Sequence, residues 1–381
     1  MRPLHIALVT ETYPPEINGV ATTLGRMASA LRGRGHGVSL VRPRQGREPG
    51  GAEAGAILVR GLPVPGYPGL RFGLPCRRRL LRRWQVQRPD IVHIATEGPL
   101  GWSAMAVARR LGIPVVAGFH TNFHSYSRHY GVGWLQGPIN AYLRHFHNRA
   151  QLTLVPTRQL QQALQDDRYR HVAVMARGVD TALFDPARRD TALRRAWGVQ
   201  DSELAVLHVG RLAPEKNLGL LVRAFEAIRQ QHPGSRLVLV GDGPAARALR
   251  CEHPEFVFAG ARVGEVLARH YASADLFLFP SLTETFGNVL LEAMASGLAA
   301  VAFDDAAAAL HLVHRRNGLK ASKGEKGAFV RLAVALAAAP ADRARYGSAA
   351  RQTALALTWE AVFDGLVEDY RALLAGRIES A

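Results

Sequence analysis

The chain has 381 residues, 48% of them apolar, and a formal net charge of +17. That length exceeds one ordinary core and predicts two domains, while two cysteines far apart, Cys76 and Cys251, exclude a disulfide scaffold and fit a reducing compartment. No apolar run is long enough to span a bilayer, and the opening "MRPLHIALVTETYPPE" holds only a strand-sized run, Ile6 to Val9, where a signal peptide would need a longer one.

In chain order, "IALVT" (6–10), "VSLVRP" (38–43), "DIVHIA" (90–95), "PVVAGFH" (114–120) and "QLTLVPT" (151–157) read as strands. Helix-period segments lie between them. In the first of these, Val20–Arg32, Leu24, Met27 and Leu31 share a face and Gly33 and Gly35 end it. The second half repeats the alternation with "LAVLHVG" (204–210), "RLVLVGDG" (236–243), "FVFAG" (256–260), "DLFLFP" (275–280) and "AAVAFD" (299–304). Strands alternating with helices predict parallel sheets covered on both faces. Two such series predict an α/β chain of two doubly wound, Rossmann-like domains. The expected division is 1–175 and 176–358, with a join near "ARGVDTALFDPARR" (176–189). A last helix over about 359–377 has apolar residues at 359, 362, 363, 366, 370 and 373, so it buries one face.

The charge is unevenly spread. Residues 1–180 hold 24 arginines and no lysine against 9 acids, a net of +15, whereas residues 181–381 are close to neutral at +2. A field of that size on one half attracts polyanions or an anionic membrane surface. Arginine over lysine is a compositional bias; the asymmetry between halves is not.

Open parallel sheets bind ligands beyond the carboxyl ends of their strands, so the loops after strands carry the chemistry. After the first strand comes "ETYPPEINGVATT", in which Asn18-Gly19 opens a helix whose N-terminal amides suit an anion. After Val209 comes "GRLAPEKNLGLL", where Arg211 and Lys216 flank a turn into a helix, a phosphate-type arrangement. "GDGP" after Val240 is a tight turn but not a full G-x-G-x-x-G. After Phe279 comes "PSLTETFGNVLLEAMASG", with Glu284 in the loop and Glu292 on the helix that begins near Asn288. A carboxylate pair alone would also suit a glycosidase. With Arg211 and Lys216 beside a helix start, a nucleotide diphosphate fits the cradle, and the carboxylates on either side fit the hydroxyls of a ribose and a sugar ring.

"VGRLAPEKN", "PSLTETFGNVLLEAMASG" and "GFHTNF" resemble the retaining glycosyltransferases of the GT-B fold, in the large family 4 (glycosyl transferases group 1) that uses nucleotide-sugar donors. The resemblance extends over nearly the whole chain, including "ARGVDTALF" and "TWEAVFDGLVEDY", and touches lipid glycosyltransferases and GDP-mannose-dependent alpha-mannosyltransferases. It implies two Rossmann-like domains facing a central cleft, with the helix 359–381 rejoining the first. It further implies that Arg211 and Lys216 hold the donor diphosphate. Glu284 would accept from the transferred sugar, with the backbone amides of Phe286, Gly287 and Asn288 nearby, and Glu292 would bind the ribose. Gly19 would let the backbone approach the donor, and His120 would face the anomeric region. Glu284 and His120 are thus the expected catalytic residues. Negative charge develops on the departing nucleotide, and preorganised cations lower that barrier. No D-x-D pair occurs in the chain, so no bridging metal and no cofactor is expected. One departure is "AFDDAAAALHLVHRRNG" (302–318), where alanines stand in place of the family's glycines.

On the acceptor side, Tyr13, His93, Glu97 and His124 are candidates; for His93 and Glu97 the alternative is a packing role. His120, His124 and His129 crowd one segment, but no cysteine or acid accompanies them as a zinc site would require. Five arginines, Arg77, Arg78, Arg79, Arg82 and Arg83, precede Trp84 in "GLPCRRRLLRRWQVQRPD". A basic amphipathic helix with Trp84 lies well on an anionic membrane surface; the alternative is a core-packed helix with a solvated basic face. The expected activity is transfer of a hexose from UDP-glucose, UDP-galactose or GDP-mannose to a membrane lipid such as diacylglycerol or a glycolipid, by a cytoplasmic enzyme peripheral on the inner membrane face. A surface polysaccharide or lipopolysaccharide acceptor is the alternative within the enzyme class, and a basic interaction protein of the same fold the alternative outside it. No recognisable nucleic-acid module is present, so no nucleic acid is expected.

Overall fold

The computed structural model describes residues 2–16, 18–44, 56–64, 67–120, 136–200, 202–284 and 286–376. Its described residues divide into two compact units: the first runs to Ala176 and takes up the chain again from Glu360, and the second runs from Arg177 to Trp359.

In the first unit the described strands are β1 (His5–Val9), β2 (Gly37–Pro43), β3 (Ile57–Val59), β4 (Gly61–Val64), β5 (Tyr67–Gly73), β6 (Ile91–Ile94), β7 (Val115–Gly118), β8 (Leu152–Val155) and β9 (Val172–Val174). Seven of them form one sheet in the order β3-β2-β1-β6-β7-β8-β9, and every pairing in it is parallel. The central strands are apolar on both faces, as burial under two helical layers requires: β6, β7 and β8 are buried throughout. Helix Gly19–Gly33 covers one face with Leu24, Met27 and Leu31, all 0% exposed. β4 and β5 form a separate antiparallel hairpin in which Leu62 sits opposite Phe72.

Helix Trp359–Leu374 enters the first unit from Glu360 onward. Phe363, Leu366, Val367 and Tyr370 are buried along it. Three polar contacts fix its position. Arg34 reaches the Asp364 carboxylate at 2.7 Å and the Glu360 carbonyl at 3.0 Å, and the Tyr370 hydroxyl bonds His93 Nδ1 at 2.7 Å.

The second unit adds β10 (Ala205–Val209), β11 (Arg236–Val240), β12 (Val257–Gly260), β13 (Leu276–Phe279), β14 (Ala300–Phe303) and β15 (Leu319–Ala321). Its sheet runs β12-β11-β10-β13-β14-β15, again parallel throughout. Two apolar layers sandwich it. One gathers Leu207, Val209, Phe277, Phe279 and Leu290, the other Val206, Leu220, Phe225, Leu278 and Phe329. A buried ion pair secures the entry to this unit: Arg194, 2% exposed, donates to Asp275 at 2.8 Å and to the carbonyls of Ser273 and Glu203.

Both sheets grow outward in opposite directions from a central pair, β1/β6 in the first unit and β10/β13 in the second. Loops that leave the two strands of such a pair diverge to opposite faces, and a crevice opens at their carboxyl ends.

Candidate functional site

In the second unit the crevice lies between the loops after β10 and β13, and these loops carry three charged side chains singled out by sequence, of which Lys216 and Glu284 meet. Arg211 follows β10. Lys216 closes a single turn of 3-10 helix, Pro214–Lys216, and Asn217 adopts a left-handed φ of 55° before helix Leu218–Gln231. Lys216 Nζ donates to Glu284 Oε1, and each side chain is only 14% exposed. Two further bonds stitch the loops: Asn217 Nδ2 donates to the Pro280 carbonyl at 3.2 Å, and Thr283 Oγ1 to the Glu215 carbonyl at 3.4 Å. Arg211, one-third exposed, lies 3.5 Å from the buried carboxylate of Glu215. Two cations and two acids are thus held on two adjoining loops.

Helix Asn288–Ala295 begins behind Glu284. Its N-cap is Gly287, in a left-handed conformation with φ 94°, and no side chain caps the first turn. A Cβ at Gly287 would stand 3.1 Å from the Phe279 ring, so conformation and space both call for glycine. The amides of that first turn, with the helix dipole, suit an anion. Phe286 is 4% exposed and belongs to the core, so its contribution to a ligand is its backbone. Glu292, half-buried on the next turn, accepts from the Tyr271 hydroxyl at 2.9 Å. The "GDGP" turn serves the loops themselves: a Cβ at Gly241 would fall 1.9 Å from the Gly210 carbonyl, and one at Gly243 2.4 Å from the Leu212 carbonyl.

Beneath this site lies His208, fully buried on β10, with its Nδ1 3.0 Å from the Leu278 carbonyl. Burial pulls its imidazole down to about 4, so at neutral pH it is uncharged and adds no third cation beside Lys216.

In the first unit, Asn18 caps helix Gly19–Gly33 with its own side chain, accepting from the Ala21 amide at 2.8 Å. Gly19 is the first helical residue, so one of the amides expected to meet an anion is already taken by Asn18. His120, 7% exposed, follows β7. Its ring folds back so far that a Cβ at Gly118 would lie 2.4 Å from Nε2. Tyr13 is 5% exposed and presents almost no surface in this structure. His124 and His129 lie outside the described residues.

Two sequence readings need correction. His93, an acceptor-side candidate, offers no accessible surface. It sits inside β6, 0% exposed. The alternation along the strand points it away from Val92 and Ile94 to the face covered by the last helix, where it binds Tyr370. Trp84 is not a membrane-surface residue: it is 3% exposed and packs with Leu80 into the core beside Val107 and Ile113. The five arginines Arg77, Arg78, Arg79, Arg82 and Arg83 are all exposed, so the helix is core-packed on one face and basic on the other.

Glu97 is buried and approaches His147 Nε2 at 3.2 Å, while His147 Nδ1 meets Thr153 Oγ1 at 3.2 Å. Sequence reading passed over its neighbour Glu11. This carboxylate lies against the start of helix Pro99–Arg110, near the Leu100 amide at 3.4 Å, and a Cβ at Gly98 would fall 2.2 Å from it. Burial pushes the Glu11 carboxyl up to about 7, against the pull of the Leu100 and Gly73 amides. The missed signal was positional: Glu11 is the first acid after the central strand. Tyr271 was also passed over, because an aromatic residue at helical spacing reads as core.

Among the described residues, Glu226, His253 and Glu255 bring ligand-type atoms within 4.8 Å of one another, but Arg229 already pairs with both carboxylates, at 2.8 and 3.2 Å. No described helix is long and apolar enough to cross a membrane.

Comparison with known proteins places these features in a family. A model described as Glycosyltransferase Family 4 matches residues 17–183, and one described as Glycosyl transferases group 1 matches residues 203–339. The chain is 36% identical, over 98% of its length and 99% of the relative's, to a GDP-mannose-dependent alpha-mannosyltransferase of Mycolicibacterium smegmatis. It is 27% identical, over 85% of its length and 86% of the relative's, to an alpha-monoglucosyldiacylglycerol synthase of Acholeplasma laidlawii. Among solved structures, a sucrose-phosphate synthase of Thermosynechococcus elongatus superimposes with a TM-score of 0.79 at 20% identity, covering 98% of this chain and 100% of that one. Anabaena HepE in complex with UDP and glucose superimposes with a TM-score of 0.74 at 20% identity, covering 97% and 99%. With the parallel sheets and strand orders described above, the chain is a glycosyltransferase of the GT-B fold and belongs to glycosyltransferase family 4, the group 1 glycosyl transferases.

Proposed function

We propose that this enzyme transfers mannose, with retention, from GDP-mannose to a lipid acceptor at an anionic membrane surface. The observation that carries the donor half is the pairing of Lys216 with Glu284, with Arg211 on the same loop as Lys216, at the strand ends where the second sheet reverses its order. In this reading Arg211 and Lys216 hold the diphosphate and neutralise the charge that develops as the nucleotide leaves, in the place a bridging metal would otherwise take. The uncapped first turn of helix Asn288–Ala295 adds amides aimed at the same anion. Glu284 turns from Lys216 to the hydroxyls of the transferred sugar once the diphosphate offers Lys216 a stronger partner. Glu292 accepts from the ribose. His120 is the catalytic candidate of the first unit. No protein nucleophile is assigned; the acceptor hydroxyl attacks on the face from which the nucleotide departs. Mannose and GDP are favoured because the relatives at 35–36% identity bear that name.

The lipid half rests on charge and exposed apolar surface in the first unit. Five arginines line the solvent face of helix Arg77–Val86. The hairpin that leads into it exposes the cross-strand pair Leu62 and Phe72, 57% and 44% accessible. Basic side chains beside exposed apolar ones suit an anionic lipid surface. The diacylglycerol synthases among the relatives support a lipid acceptor.

The test is a screen of donors against acceptors. GDP-mannose, UDP-glucose and UDP-galactose are each presented with diacylglycerol in anionic vesicles and with soluble sugars, and the products are read by mass spectrometry. A mannosyl lipid formed from GDP-mannose alone supports the reading. Transfer only to soluble saccharides, or only from a UDP-sugar, refutes the corresponding half.

A further inference from the structure

Tyr271 sits on helix Gly264–Ser273, 0% exposed. Its ring packs edge-on against Phe184 at 5.6 Å and 85°, and at a tilt against Phe277 at 5.9 Å and 55°. Aromatic packing alone would be met by phenylalanine. The hydroxyl instead leaves this apolar pocket and donates to Glu292 Oε2 at 2.9 Å, linking two helices of the second unit. A phenol buried among hydrocarbons and facing a carboxylate keeps its proton. Its ionisation is pushed well above the ordinary tyrosine range by burial first and by Glu292 second. Tyr271 therefore stands as a donor to Glu292.

We propose that Tyr271 is a positioning residue for nucleotide recognition: it pins one oxygen of Glu292 so that the carboxylate is held ready for the ribose hydroxyls. The proposal rests on the assignment of Glu292 to the ribose. A glutamate side chain has three rotatable bonds, and ordering it on binding opposes affinity. A charge-assisted bond from a buried donor orders it in advance. The effect is confined to ligands that carry the hydroxyls Glu292 reads.

That confinement gives the test. Binding of GDP, 2′-deoxy-GDP and 3′-deoxy-GDP, or the UDP series if UDP is the nucleotide bound, is measured by calorimetry on the wild type and on Tyr271→Phe. The wild type is expected to bind the ribonucleotide more tightly than at least one deoxy analogue. In Tyr271→Phe the affinity for the ribonucleotide should fall about tenfold, that for the discriminated deoxy analogue should stay the same, and the ratio between them should collapse. In a Glu292→Gln background, Tyr271→Phe should have no further effect on the ratio. Equal weakening of all ligands would make Tyr271 a packing residue and overturn the proposal, as would an unchanged ratio. If Tyr271→Phe fails to fold, Glu292→Gln alone carries the test: retained discrimination there overturns the proposal. A wild type that binds the nucleotide but does not distinguish the deoxy forms removes Glu292 from the ribose and the proposal with it. A wild type that binds no nucleoside diphosphate sinks the donor reading itself.

Discussion

Lys216 and Glu284 close an ion pair between the loops that leave β10 and β13, the two strands from which the second sheet grows in opposite directions. Each neutralises the other while no diphosphate is present, which keeps two largely buried charges compatible with folding. Lys216→Met should lower nucleoside diphosphate affinity about thirtyfold or more and flatten its dependence on salt. Titration calorimetry at two ionic strengths reads both, and an unchanged affinity would remove Lys216 from the diphosphate.

The basic helix Arg77–Val86 makes two separable predictions. Arg82→Gln with Arg83→Gln should weaken binding to anionic vesicles and leave the thermal midpoint unchanged, because both side chains are exposed. Trp84→Ala should destabilise the protein by about 3–5 kcal/mol in urea unfolding, as emptying a buried indole site does. Vesicle flotation that ignores the two arginines would end the membrane assignment of this helix.

Arg194 and Asp275 form a buried ion pair in the second unit, 2% and 18% exposed. Asp275 also accepts from Arg189 and from the Ala205 amide at the start of β10. Asp275→Ala leaves the Arg194 charge buried without its partner, and should cost about 3–5 kcal/mol. Equilibrium unfolding reads this directly, and a loss below 1 kcal/mol on the order of a surface pair would show that Arg194 finds water instead.

Glu11 predicts a pH dependence of stability. Its carboxyl is raised from 4.5 to about 7 in the folded chain, so the folded state holds a proton that the unfolded state releases. The contribution is fully present below the unfolded value and is lost as pH rises through the folded one. Between about pH 4.5 and 7 the wild type should lose up to about 3 kcal/mol relative to Glu11→Gln. The amides of Leu100 and Gly73 and the charge of Glu97 face the same carboxyl. Thermal unfolding of both proteins across that range checks it, and parallel curves would show Glu11 ionised throughout.

The fold was legible because its signal is local and repeated. The run at 6–10 overlaps β1, the runs at 90–95, 204–210 and 275–280 contain β6, β10 and β13, and Leu24, Met27 and Leu31 are buried at the spacing that predicted them. The charged residues of the candidate site were legible because each follows a strand, and in a parallel sheet strand ends converge. What sequence could not show is the direction in which a side chain points. His93 alternates with apolar neighbours in a fully buried strand, and Trp84 shares one face with Leu80, so neither burial follows from residue type. Glu11, Tyr271 and Glu215 matter through partners 89, 21 and 4 residues away; only the last of these separations is local enough to be read from spacing.

The proposed division, Glu284 on the sugar and the cations on the nucleotide, is tested by Glu284→Gln assayed for transfer and for binding together. Transfer from GDP-mannose to lipid in anionic vesicles gives kcat and KM, and calorimetry gives the GDP affinity. Turnover should fall about 10²–10³-fold with GDP affinity within about threefold of wild type. A parallel loss of both, or full turnover without the carboxylate, would contradict it.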